Sequence, residues 1–146
     1  MKPRIVQVLR YLVTHALAGN MHVIDGLYDY FVNRASPSEI GARYGLSKHV
    51  VRGWVQRIIE KVPSFERARV LIKHLVPYVR KIRPVMERVD DNRVRCRLCG
   101  EKMIRSLARD HVERYHGDLV DEYVYSIIEL LSRSLNSKKV EEVGSA

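Results

Sequence analysis

Residues 36–58 read SPSEIGARYGLSKHVVRGWVQRI, and this stretch decides how the chain is organised. Ser36, Pro37 and Glu39 make a helix start: a serine able to cap, a proline suited to the first turn, and a glutamate three residues on. Gly45 ends that short helix, because the left-handed residue that closes a helix is easiest for glycine. Ser47 caps a second helix carrying Val50, Val51, Trp54, Val55 and Ile58. The expectation for residues 36–61 is two helices joined by a glycine turn. Gly53 lies inside the second helix, where glycine costs about 1 kcal/mol relative to alanine. A close approach by another backbone, or by DNA, would account for it.

The stretch resembles a helix-turn-helix. Ile40, Tyr44, Leu46, Val51 and Trp54 fill the apolar positions of that family, Gly41 the small position where the helices touch, and Gly45 the turn. With the preceding helix, HVIDGLYDYFVN, residues 22–61 resemble region 4 of bacterial sigma factors and their tri-helical relatives. The resemblance implies a second helix that enters the major groove. Its exposed positions would be Ser47, Lys48, His49, Arg52 and Gln56. Lysine and arginine can pair with guanine and glutamine with adenine. Arg43 and Arg57 would contact phosphates, which position a protein without reading sequence.

A second pattern lies at residues 96–116, CRLCGEKMIRSLARDHVERYH. Cys96, Cys99, His111 and His116 follow C-x2-C-x11-H-x4-H. Thiolates with neutral imidazoles suit zinc, and four protein ligands leave no open position for a reacting water, so a structural site is expected. They are the only cysteines, which fits a metal site in a reducing compartment. Met103, Ile104 and Leu107, joined by Val94, would supply a miniature core. A helix is expected from about Ile104 to His116, ended by Gly117. Residues 94–116 resemble the two-cysteine, two-histidine zinc finger, with a middle spacer one residue short and Met103 where a large aromatic is usual. The base-reading positions implied by that family fall on Ile104, Leu107 and Asp110, which are poor readers. The finger is therefore expected to hold structure, with Arg105 and Arg109 as possible phosphate contacts.

The remaining chain reads as helix. Ile5, Val8, Leu9, Leu12 and Val13 form one apolar face; Arg10 and His15 interrupt what would otherwise resemble a signal peptide. A basic segment, residues 63–89, carries Val70, Leu71, Leu75, Val79, Ile82 and Met86 at helical spacing, with Pro77 and Pro84 to kink or divide it. Residues 89–95, VDDNRVR, read as a linker to a finger module at 93–117. A last helix at 118–135 either closes the core or forms a homodimer face, and residues 136–146 read as a disordered tail. No alternating run is long enough to predict a substantial sheet. The expected fold class is mainly α: an N-terminal helical domain over residues 1–62, a zinc-finger module and a C-terminal helix.

The formal charge of +9 and pI of 9.8 favour an acidic partner, nucleic acid before anionic membrane. No apolar run approaches the ~20 residues a bilayer needs. No phosphate loop, nucleophile with a partner base or carboxylate cluster points to an enzyme, although a recombinase fragment stays open. The leading expectation is a sequence-specific DNA-binding protein, a transcriptional regulator that is cytoplasmic and nucleoid-associated. The alternative is an RNA-binding or assembly factor of a ribosome or polymerase. Scarce Gln and Cys beside abundant Arg, Glu and Val fit a thermophilic prokaryote, such as an archaeon.

Overall fold

The computed structural model describes the backbone of residues 3–144 and the side chains of residues 3–136. Seven α-helices and a small sheet make up the described residues. They are α1 (Arg4–Leu17), α2 (Met21–Phe31), α3 (Pro37–Tyr44), α4 (Lys48–Lys61) and α5 (Phe65–Val79). Then come β1 (Met86–Arg88), β2 (Arg93–Cys96), β3 (Lys102–Ile104), α6 (Ala108–Tyr115) and α7 (Gly117–Gly144). The mainly helical class expected from the sequence is correct.

The first helix is the axis of the molecule. Every residue from Tyr11 to Ala18 is buried, including Thr14 and His15, so its second half is enclosed on all sides rather than amphipathic. It packs against α2, α4, α5, α6 and α7. Burying Thr14 and His15 requires partners for their polar atoms. Thr14 Oγ1 donates to the Arg10 carbonyl (2.6 Å), and His15 Nδ1 lies 3.2 Å from Asn20 Nδ2.

One hydrophobic cluster runs from Val8, Leu12 and Ile24 through Ile58, Ile72 and Leu75 to Val94, Cys96, Val112, Val120 and Val124. The core therefore continues from the N-terminal helices into the cysteine–histidine region. A second, smaller cluster, Ala35, Ile40 and Val51, holds α3 against α4; Tyr30 and Trp54 pack against both clusters.

Several local expectations are corrected. Residues 89–95 are a hairpin, not a linker. Asp90 Oδ1 accepts from the backbone N–H groups of Asn92 and Arg93, both at 2.9 Å, which is a side-chain-stabilised turn. The hairpin pairs β1 with β2 antiparallel, and β3 pairs with β2 on its other side. Along β2, Arg93 and Arg95 face out while Val94 and Cys96 are buried. The basic segment is helical only to Val79: Pro77 sits in the last turns of α5, Ile82 is buried in the following loop and Met86 begins β1. Val70 is 49% exposed. The last helix closes the core with Val120, Val124 and Ile127. Its backbone stays helical to Gly144, past Leu135, because residues 136–143 are rich in lysine and glutamate and contain no breaker. The final two residues of the expected tail lie outside the described residues. No helix among the described residues is long and apolar enough to cross a membrane.

Candidate metal centre and nucleic-acid interface

Cys96 ends β2, and Cys99 lies in the tight turn before β3. That turn is closed by Gly100 at φ 79°, whose N–H bonds the Cys96 carbonyl at 2.7 Å. His111 projects from the middle of α6. His116 occupies the break between α6 and α7: its N–H bonds the Val112 carbonyl, and its own carbonyl accepts from Leu119 and Val120. Gly117 therefore opens α7 rather than ending α6.

These four side chains converge. Their candidate ligand atoms all lie within 4.8 Å of one another. Cys96 Sγ is 3.4 Å from His116 Nε2, and Cys99 Sγ is 3.3 Å from His111 Nε2. A tetrahedral ion with metal–sulfur bonds of about 2.3 Å and metal–nitrogen bonds of about 2.0 Å separates such atoms by about 3.5 Å. The cluster thus has the donor set and size to hold a metal ion. His111 Nδ1, the nitrogen turned away from the cluster, lies 3.4 Å from a Glu101 carboxylate oxygen, the arrangement that orients a ligating histidine. Cys96 and His111 are buried and Cys99 is exposed. An ion here would tie the sheet to the α6–α7 junction.

The expected miniature core is only partly present. Val94 is buried and Met103 half-buried, but Ile104 and Leu107 are 48% and 51% exposed. Residues 105–107 form a 3-10 turn rather than the first turn of the helix. The helix packs instead through Ala108 and Val112, which reach the main core.

The helix pair forms as its local signals predict. Ser36 Oγ accepts from the Glu39 N–H (3.2 Å), Ser47 Oγ from the Val50 N–H (3.3 Å), and Gly45 is left-handed at φ 67°. A Cβ at Gly41 would sit 2.4 Å from the Leu46 carbonyl oxygen, so the turn folds directly over this position. A Cβ at Gly26 would come within 2.8 Å of the Trp54 ring, so α4 seats its tryptophan on bare α2 backbone.

Along α4, Lys48, His49, Arg52, Gly53, Gln56 and Arg57 are exposed. Lys48, Arg52 and Gln56, four residues apart, share one face. Arg52 and Arg57 form no ion pair with a described acid. Ser47 uses its hydroxyl to cap the helix. Arg43 Nη1 is bound to Asp29 of α2 at 2.9 Å, which fastens α3 to α2, and the rest of its guanidinium stays at the surface. A Cβ at Gly53 would meet nothing within 4 Å, so no contact among the described residues requires glycine there.

Most of the arginines before β3 are paired internally: Arg93 with Asp90, Arg95 and Arg97 with Glu87. Arg105 is exposed and has no acidic partner among the described residues. It shares a cleft of about 620 Å³ with Tyr44, Leu46, Val50 and Trp54, which places it beside the first half of α4. There burial, together with the Arg105 charge, lowers the pKa of His22. Arg109 lies deeper than Arg105. It is half-buried, with its guanidinium carbon 5.7 Å from the Tyr11 ring centroid.

Compared with known protein families, curated proteins and solved structures, the chain matches none.

Proposed function

We propose that this protein binds duplex DNA sequence-specifically as a transcriptional regulator, reading bases with α4, while zinc at Cys96, Cys99, His111 and His116 plays a structural part. The observation that carries the reading is the face of α4. Lys48, Arg52 and Gln56 stand in register on a capped helix, and Gly53 on the same helix lets another molecule come close to its backbone. Such side chains can form paired bonds to base edges. Arg57 and Arg105 flank that face and would contact phosphates. Two thiolates with two imidazoles suit zinc better than harder ions, and four protein ligands leave no position for a reacting water.

One observation favours the second reading, an RNA-binding or assembly factor. Leu98, Ile104, Leu107 and Tyr115 are exposed around the metal cluster, and exposed apolar groups suit a larger machine better than a phosphate backbone. Titration of duplex DNA and of structured RNA at matched salt separates the two. The DNA reading expects tighter duplex binding that weakens steeply with salt as counterions are released. Tighter RNA binding across the salt series would replace it with the second reading.

A further inference from the structure

We propose that the cleft between α1, the end of α4 and α6 is a binding site for a phosphoryl group. It has a volume of about 230 Å³ and is lined by Arg10, Tyr11, Thr14, Lys61, Arg109 and Glu113, among others. That is below the roughly 300 Å³ at which sites for drug-sized ligands begin, so it accepts a small anion or the end of a larger one.

Three cations line the site, two of them beside one ring. The Lys61 ammonium lies 5.1 Å and the Arg109 guanidinium carbon 5.7 Å from the Tyr11 ring centroid. The third cation, Arg10, is held by Asp121 of α7. Arg57 is near enough for its charge to act on both Tyr11 and Lys61. Against these stand Glu113 in the lining, Asp110 beside Arg109 and Glu60, whose charge acts on Lys61. Gathering like charges in a partly desolvated place is unfavourable unless an opposite charge joins them.

The donors are also left open. The Arg109 ion pairs with Asp110 and Glu113, at 3.6 and 3.7 Å, are beyond hydrogen-bonding distance. Lys61 gives one N–H to the Arg57 carbonyl (3.2 Å), and an ammonium has two more. A phosphoryl dianion, with three acceptor oxygens, answers donors that arrive from two helices. The fork of an arginine beside the point charge of a lysine is a recurrent way to hold it.

The group could belong to a free phosphorylated metabolite or to a nucleic-acid strand. The site stands without the DNA reading, because inorganic phosphate alone probes it. In metal-loaded protein, sodium phosphate should give a saturable rise in Tm over sodium chloride of equal ionic strength. Sodium acetate should give none. Lys61→Gln and Arg109→Gln should each weaken phosphate binding at least tenfold, with folding checked by circular dichroism, while Lys73→Gln on the exposed side of α5 should leave it unchanged. If the two variants also weaken duplex DNA binding about tenfold, the group is a strand phosphate; if they do not, it is a free phosphorylated ligand. Absence of a saturable shift in the native chain, equal binding of acetate, or full phosphate binding by Lys61→Gln would each overturn the site.

Discussion

Alanine at Gly41 and alanine at Gly53 should act in opposite directions. At Gly41 the added methyl meets a backbone oxygen at 2.4 Å, and backbone cannot rotate away as a side chain can. Gly41→Ala should cost about 1–3 kcal/mol, the usual range for overpacking, read as a lower denaturant midpoint. At Gly53 the methyl enters open space, and alanine is the better helix former. Gly53→Ala should stabilise by about 1 kcal/mol yet weaken duplex binding. A variant both more stable and fully able to bind would remove Gly53 from the interface. His15 makes a different prediction. Burial first, then Arg109 and His22, lower its pKa from 6.5 to about 3. The unfolded chain takes up this proton below pH 6.5 and the folded chain does not until about pH 3. Stability present above pH 6.5 is therefore lost as pH falls through that window, by on the order of 5 kcal/mol over its full span. Metal ligands also protonate on acidification, so the comparison is between native chain and His15→Gln, both metal-loaded. The native Tm should fall more steeply between pH 6.5 and 4.5; parallel slopes would contradict this account of His15.

The elements divide into those whose signals are local and those whose signals are not. Both caps and the left-handed turn of α3 and α4 were legible because each depends on one residue and its immediate neighbours. The cysteine–histidine cluster was legible because metal chemistry restricts residue type and spacing. The sheet was not: its strands are three or four residues long, and the alternation of Arg93, Val94, Arg95 and Cys96 is too brief to stand out. Nor could sequence show that His15 and Thr14 would be buried, since that depends on five helices surrounding α1. The pairing of Arg43 with Asp29 and of Arg80 with Asp25 (2.9 Å) likewise needs α2 in place. Because Val94, Ala108, Val112 and Val120 share the main core, loss of metal should not unfold a separate module. Cys99→Ser, or chelation, should lower one cooperative transition and reduce hydrogen-exchange protection in α1 as well as in α6. Two transitions, with α1 unaffected, would mean that the metal region folds on its own.

At the scale of the whole molecule, the continuous core brings the metal region alongside α4. Arg105 shares a cleft with Val50 and Trp54, and Arg109 shares a second cleft with Lys61. The metal region thus lies beside the proposed reading helix near both ends and adds positive charge there. In the proposed function, base reading belongs to α4 and general affinity to its flanks. The most direct test is selection of the native chain from a pool of random duplexes, repeated with Arg52→Ala, Gln56→Ala and Arg105→Ala. The native chain should enrich a defined site. Arg52→Ala and Gln56→Ala should relax preference at particular base pairs, by about 1–3 kcal/mol per lost contact, and leave non-specific binding largely intact. Arg105→Ala should weaken binding to all sequences alike. Enrichment of no site by the native chain, or base preferences that change with Arg105 and not with Arg52 or Gln56, would contradict the assignment of base reading to α4.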